Sequence, residues 1–223
     1  MRDAMVALGR RGIQCAALVH RHTLSLRSRD EAMVIGGQHF EVTRTGMWAR
    51  VAFTPLSPSF PWRLRRLIRQ FKPDVLHLHL PNPSAFWALL LPSARRIPWL
   101  VHWHSDVVTL EQGWTMKLLY RLYQPFEHAV LRRSEAIVAT SSPYLDSSKP
   151  LKEWLSKCHV IPLGLDIERL SGPAVQADES SNLREPLRVL AVGRLTYYKG
   201  FRYLIEAAAL APATVDPAIQ AGC

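Results

Sequence analysis

Two cations on either side of a short loop are the residues of this 223-residue chain that most directly suggest chemistry. Arg194 and Lys199 follow the apolar run 189–192, with Gly193 just before the arginine and Gly200 just after the lysine. A strand that passes through a glycine turn into a helix is where α/β proteins hold phosphate, because free N–H groups and the helix dipole meet there. Glycine also lets a ligand approach the backbone closely. The segment therefore predicts a phosphate site; the open alternative is a plain strand-turn-helix connection with two solvated cations.

Polar residues follow two other predicted strands. His104 ends the predicted strand 97–104, and Asp106 comes two residues later. Gly164 comes after the predicted strand 158–161. Open α/β sheets bind ligands beyond the carboxyl ends of their strands. These three positions are therefore candidate ligand contacts, although a turn glycine and a structural histidine are equally ordinary explanations.

Histidines alternate with other residues in two strands. His102 lies two residues before His104 on the same strand face, which suggests metal binding as well. Spacing along the chain supplies no third ligand, so we predict no metal ion. His77 and His79, in the alternating strand 75–80, are interpreted as packed strand residues rather than ligands.

The elements needed to position these residues alternate between strand and helix. This rhythm favours an α/β fold with a parallel sheet and helices on both faces. Strands are predicted at 13–19, within 40–53, and at 75–80, 97–104, 136–140 and 158–161. Helices are predicted at 62–72, 84–91, 113–132 with a kink near Pro125, and 142–155. The polar segment 20–31 is predicted to lie outside these elements.

A change in composition marks a domain boundary. Residues 168–185 are small and polar, so we predict a first domain at 1–167, a linker at 168–186 and a second domain at 187–223. The second domain contains a predicted strand, 187–192, and a predicted helix, 200–210. One strand and one helix cannot bury a core alone, so this domain is expected to be only the start of a larger one.

Composition limits the cellular setting. Cys15, Cys158 and Cys223 are too few and too far apart to indicate a disulfide framework or a zinc site. The N-terminus lacks the pattern of a signal peptide, and the longest uncharged stretch, 80–94, is shorter than a bilayer-spanning helix of about 20 residues. These features predict a cytoplasmic protein.

The net charge of +10 favours a polyanionic partner. The densest basic stretch, 62–72, is amphipathic, and its basic face carries Arg63, Arg66, Arg69 and Lys72. We interpret it as a surface helix with a hydrated face; the alternative is contact with an anionic membrane surface. Nucleic-acid binding is not predicted, because no aromatic stacking platform joins the cations.

The histidine, glycine and cation segments, in this order and at these separations, resemble the family 4 retaining glycosyltransferases. That resemblance implies a GT-B architecture of two Rossmann-like domains, of which this chain carries the N-terminal, acceptor-side domain and only the first strand and helix of the nucleotide-sugar domain. The family's glycine-rich opening and its two glutamates separated by seven residues have no counterpart here. The chain is therefore expected to be truncated at both ends and inactive alone.

The resemblance also implies roles for individual residues. His104 is expected to position the transferred sugar, and Asp106 to contact the acceptor. Leu163 stands where the family usually has asparagine, which leaves Gly164 as a backbone contact near the donor. The residues expected to bind the donor are Gly164, Gly193, Arg194, Lys199 and Gly200.

The implied reaction is transfer of a hexose from a nucleotide sugar to a lipid-linked or polysaccharide acceptor, with retention and without a metal or cofactor. The segments 102–106 and 144–148 resemble bacterial exopolysaccharide and O-antigen mannosyltransferases. GDP-mannose is therefore the first expected donor and UDP-glucose the second, at the inner face of the cell membrane. The alternative function is a non-catalytic fragment that binds an anionic membrane or a partner chain through the basic helix.

Overall fold

The computed structural model describes residues 2–35, 37–51, 54–107, 113–164, 189–193 and 199–210. It divides the chain into two compact units, Met1–Asp166 and Ile167–Cys223. Arg194 and the predicted linker, 168–186, lie outside the described residues.

The described residues of the first unit form three sheets, of three, two and four strands, together with several helices. Its strands are β1 Ala16–Leu24, β2 Arg29–Ile35, β3 Gln38–Met47, β4 Ala49–Val51, β5 Thr54–Leu56, β6 Leu76–Leu80, β7 Trp99–Trp103, β8 Ala136–Ala139 and β9 Cys158–Val160. Its α-helices are α1 Arg2–Gly9, α2 Phe60–Phe71, α3 Trp87–Leu90, α4 Pro92–Arg95, α5 Gly113–Arg133 and α6 Ser142–Ser147. Two 3₁₀ helices are Pro83–Phe86 and Lys152–Lys157.

The first sheet has the strand order β1-β3-β2, with β1 parallel and β2 antiparallel to β3. The prediction that 20–31 lies outside the strands and helices was wrong for residues 20–24, which continue β1, and for residues 29–31, which begin β2. Cross-strand polar contacts stabilise this strand despite its composition. Arg44 Nε donates to Glu31 Oε2 at 2.9 Å, and Thr43 Oγ1 donates to Asp30 Oδ1 at 2.9 Å.

The four-stranded sheet is parallel, with the order β6-β7-β8-β9. It confirms the predicted Rossmann-like α/β sheet of the N-terminal domain. One face of this sheet carries the buried apolar side chains of the core, and Trp99, Val101 and Trp103 of β7 each have 0% exposure. The buried residues Leu64 and Ile68 of α2 belong to the same core. Side chains alternate along a strand, so the residues between them lie on the opposite face.

A single proline explains the one helix that differs most from its prediction. The predicted helix 142–155 is instead α6, which ends at Ser147, followed by the 3₁₀ helix that begins at Lys152. Pro150 disfavours helical backbone at the residue before it. Ser148 is already extended, with ψ 111°. The long helix α5 contains Pro125 internally, as the sequence predicts.

In the second unit the helix α7, Phe201–Leu210, forms as predicted. Residues 189–193 have no strand structure, so the predicted strand 187–192 is absent from its described part. The side chains of Leu190 and Val192 are 87% and 89% exposed. An apolar segment needs neighbouring strands to complete its backbone hydrogen bonds, and no described strand pairs with this one. Within the described residues, no helix combines the length and apolar character needed to cross a bilayer.

Candidate active site

Four histidines gather on the face of the parallel sheet opposite the tryptophans. His77 and His79 belong to β6, His102 belongs to β7, and His104 follows β7. The parallel register places His79 directly beside His102. His104 lies beyond the end of β7, and its backbone N–H donates to the carbonyl of Leu80 at 2.9 Å. The strand pairing therefore joins two His-x-His segments that are 25 residues apart, and we call His77, His79, His102 and His104 the histidine quartet.

The quartet rings stack on one another. The centroids of His102 and His104 are 4.4 Å apart, and those of His77 and His79 are 4.5 Å apart. His79 Nδ1 and His104 Nε2 share a hydrogen bond of 2.8 Å, in which one nitrogen carries the proton and the other accepts it. This bond fixes the orientation of the predicted sugar-positioning histidine and leaves its Nδ1 for another partner.

The quartet is electrically neutral at pH 7. Burial, followed by repulsion from the other imidazoles, lowers the pKa of His79 to about 3 and that of His102 to about 4. Partial desolvation by the surrounding side chains also lowers the pKa values of His77 and His104. A neutral imidazole has one N–H and one lone pair, so each ring can donate one hydrogen bond and accept another. The quartet therefore suits hydroxyl-bearing ligands or metal ions rather than anions.

The loop after His104 is fixed by a carboxylate. Asp106 Oδ1 accepts hydrogen bonds from Tyr144 OH at 2.6 Å, from Ser148 Oγ at 2.7 Å and from Trp103 Nε1 at 2.9 Å. Ser148 is buried, at 1% exposure. These contacts attach the end of β7 to α6 and so hold the backbone that carries His104. The acceptor contact predicted for Asp106 stays a prediction, and this oxygen already has internal partners.

A second acid lies buried nearby on α5. Glu127 is 2% exposed and accepts a hydrogen bond from Tyr120 OH at 3.1 Å, while its other carboxylate oxygen has no partner among the described residues. Burial raises the pKa of Glu127 to about 7, opposed by the Tyr120 hydrogen bond and assisted by the charge of Asp106. Glu127 therefore changes its charge near neutral pH.

The predicted donor residues lie partly within the described second unit. Gly200 has a φ of +71°, a conformation that side chains rarely adopt. A Cβ at Gly193 would lie 3.2 Å from the Phe201 ring, so glycine allows α7 to begin close to this backbone. Lys199 precedes that helix, whereas Arg194 lies outside the described residues. In the first unit, a Cβ at Gly164 would meet no described atom within 4 Å.

The basic side chains of α2 differ in whether they form ion pairs with the first sheet or line an exposed groove. Arg63 is tied to the first sheet, because its Nη1 lies 3.0 Å from Asp30 Oδ2. A cavity of about 500 Å³ runs along the outer face of α2 and is lined by Trp62, Arg65, Arg66, Arg69 and Gln70. Lys72 is exposed at the C-cap. Arg66 Nη1 also lies 4.0 Å from Asp30 Oδ2, so two of the four predicted membrane-contact residues already have an internal ion pair.

A comparison with known protein families shows which family this chain belongs to. The model of a family described as "Glycosyl transferase 4-like domain" matches residues 1–164, which carry all three sheets and the quartet. The chain belongs to this family. The match confirms the resemblance to family 4 glycosyltransferases drawn from the histidine, glycine and cation segments.

This glycosyl transferase 4-like domain has curated relatives in bacteria. It is 30% identical over 192 residues to "D-rhamnosyltransferase WbpZ" of Pseudomonas aeruginosa, covering 85% of this chain and 48% of the relative. It is 32% identical over 159 residues to "O-antigen chain mannosyltransferase C" of Escherichia coli, covering 71% and 40%. A "Putative teichuronic acid biosynthesis glycosyltransferase TuaC" of Bacillus subtilis is 27% identical over 143 residues, covering 62% and 35%. The chain spans half the length or less of these relatives.

Sequence reasoning about the glycosyl transferase 4-like domain missed the grouping of its histidines. His77 is exposed and His79 is half-buried, and both are strand residues whose rings pack against other imidazoles. Both stack against His102, from the neighbouring strand. Two His-x-His segments, each near the end of a strand that pairs with the other, are the signal that could have found the quartet.

Glu127 makes the stability of this glycosyl transferase 4-like domain depend on pH. The fold favours the protonated carboxyl, so the stabilisation is complete below pH 4.5 and is lost as the pH rises through 7. Glu127→Gln removes this titration. We expect wild type to lose on the order of 2 kcal/mol more than the variant between pH 5 and pH 8, measured by urea unfolding.

The matched control for this measurement is Glu135→Gln, because the Glu135 side chain is 69% exposed. Its pH curve should follow that of wild type. Parallel curves for wild type and Glu127→Gln would show that this buried carboxyl does not titrate as described.

Proposed function

We propose that this chain is the acceptor-side domain, with the beginning of the donor domain, of a glycosyltransferase that moves a hexose from a nucleotide sugar to a lipid-linked or polysaccharide acceptor. The observation that carries the proposal is the orientation of His104 by His79, at 2.8 Å, inside a domain of the glycosyl transferase 4-like family. The names of two relatives, a D-rhamnosyltransferase and an O-antigen chain mannosyltransferase, support a sugar-transfer role.

His104 is proposed to position the transferred sugar. Its Nε2 is engaged by His79 Nδ1, so its Nδ1 is the nitrogen left to hydrogen-bond a sugar hydroxyl. A neutral ring suits this task, because a sugar hydroxyl both donates and accepts hydrogen bonds. Desolvation lowers the pKa of His104 and so favours the neutral ring. The Asp106 hydrogen bonds support the same backbone.

Arg194 and Lys199 are proposed to receive the diphosphate as the sugar bond breaks. Two fixed cations can stabilise the charge that develops on this leaving group, which removes the need for a metal at that step. Attack on the face that the diphosphate leaves would retain the anomeric configuration without a protein nucleophile. Gly193 and Gly200 support the site by allowing close backbone approach at the start of α7.

GDP-mannose is the proposed donor, with UDP-glucose as the second candidate. The name of the Escherichia coli relative, an O-antigen chain mannosyltransferase, supports mannose and a polysaccharide product. The name of the Pseudomonas relative, a rhamnosyltransferase, supports a deoxyhexose equally well in the same family. A direct comparison of donors is therefore part of the test.

Donor binding tests the proposal on the chain itself. We expect isothermal titration to show GDP-mannose binding that Lys199→Ala weakens about tenfold or more, because one charge-assisted hydrogen bond contributes about 1.5–3 kcal/mol. Arg202→Ala is the control, since Arg202 lies in α7, is 86% exposed and pairs with Glu206 at 2.7 Å. Equal effects of both substitutions, or no binding of GDP-mannose, would contradict the donor assignment. Tighter binding of UDP-glucose would replace the proposed sugar.

A second candidate function is attachment to an anionic membrane through α2. The observation that favours it is the outer groove of this helix, where Trp62 is 58% exposed among Arg65, Arg66 and Arg69. The guanidinium of Arg66 lies 5.9 Å from the Trp62 ring centroid. Exposed aromatic and basic side chains on one helix face are typical of an interfacial helix.

Liposome sedimentation tests this attachment. We expect the chain to bind phosphatidylglycerol-rich vesicles and to lose most of that binding in Arg66→Gln/Arg69→Gln, because each cation near an anionic surface contributes about 1 kcal/mol. Lys149→Gln/Lys152→Gln is the charge-matched control, since both lysines are exposed and neither belongs to α2. Binding that survives in the α2 variant, or that ignores added salt, would contradict this function.

A further inference from the structure

We propose that His77, His79 and His102 form a binding site for a divalent transition-metal ion such as Zn²⁺. These three histidines are not among the residues proposed to bind the donor, and the existence of the site does not rest on the proposed sugar transfer. Its basis is the convergence of three imidazoles from two paired strands on one face of the sheet.

Distance supports the site. One ring nitrogen from each of the three histidines lies within 4.8 Å of the others. A tetrahedral Zn²⁺ with Zn–N bonds of about 2.0 Å needs nitrogens roughly 3.3 Å apart. For the three histidines to bind one ion, the distance between any two of these nitrogens must therefore shorten by no more than about 1.5 Å. Ring rotation can supply this approach, because His77 is exposed and His79 and His102 are only half-buried.

An unsatisfied atom gives a second, independent reason. His102 Nε2 is buried and has no hydrogen-bond partner among the described residues. A buried polar atom without a partner costs free energy, and a metal ion would remove that cost. Its neighbours on the sheet face are other imidazoles, which offer lone pairs but no negative charge.

The hydrogen bond to His104 selects the ligand atom of His79. Because Nδ1 of His79 is engaged by His104 Nε2, the nitrogen available to an ion is Nε2. When His79 donates through Nδ1, His104 acts as the acceptor that fixes its tautomer, as partners of metal-bound histidines usually do. Three neutral nitrogen ligands and an open fourth position suit Zn²⁺, Ni²⁺ or Cu²⁺ rather than Mg²⁺ or Ca²⁺.

Isothermal titration of the metal-free 223-residue chain with ZnCl₂ tests the site. We expect one ion per chain, and at least a tenfold loss of affinity in His102→Asn. His77→Asn provides a second variant in case the first does not fold, because His77 is exposed. Co²⁺ bound to the wild type should show the visible absorption of a tetrahedral site with nitrogen ligands.

His159→Asn is the matched control. In the parallel sheet His159 pairs with Val138, and Val138 pairs with His102. His159 therefore lies on the same face as His102 but two strands away, at a distance of roughly 10 Å. His128→Asn tests binding at the surface pair of His128 and Glu153, whose atoms are 3.6 Å apart. The proposal is overturned if the wild type binds no stoichiometric Zn²⁺, if the two quartet variants bind as wild type does, or if His128→Asn removes the binding.

Discussion

The parallel pairing of β6 with β7 is the constraint on which the rest of the first unit depends. In the register that places Leu80 beside Trp103, His79 must lie beside His102. If β7 shifted by one residue against its neighbours, its side chains would move to the opposite faces of the sheet and the tryptophans would leave the core. Burial of Trp99 and Trp103 on one face of the sheet therefore determines which histidines lie next to one another on the opposite face. The core and the candidate site are two consequences of one register.

Two acids near the end of β7 show how local partners decide the behaviour of a carboxylate. Asp106 accepts three hydrogen bonds through one oxygen and connects β7 to α6. Glu127 has Tyr120 as a partner for one oxygen, while its second oxygen is buried without one. The first acid stabilises the backbone that carries His104, whereas the second makes the same region sensitive to pH.

The sequence was sufficient for features set by local pattern. Alternation predicted β6, and apolar residues at helical spacing predicted α2; the strand β7 and the helix α5 were also predicted close to their observed bounds. The family followed from the spacing of the histidine, glycine and cation segments. Features that depend on pairing between distant segments were missed. The strand β2 is polar and is held by contacts such as Arg44 with Glu31, and the quartet forms only when two strands meet.

The predicted donor site shows a different limit. Lys199 and Gly200 were selected by residue type and position; the φ of +71° at Gly200 fits the predicted glycine turn, and the donor contacts of both residues stay predictions. Arg194 lies outside the described residues, so its role stays a prediction. Asp106 was selected by its position after a strand, and that position does not reveal that Tyr144 and Ser148 already use its oxygen.

Strand register brings the four neutral imidazoles together. Nitrogen-15 NMR of the histidine rings is the decisive test, because chemical shifts report both the charge and the tautomer of each imidazole. We expect His79 and His102 to stay neutral down to pH 5, since their pKa values are about 3 and about 4. We also expect a hydrogen-bond coupling between His79 Nδ1 and His104 Nε2. Titration of both rings near pH 6.5, without that coupling, would contradict this arrangement of the imidazoles.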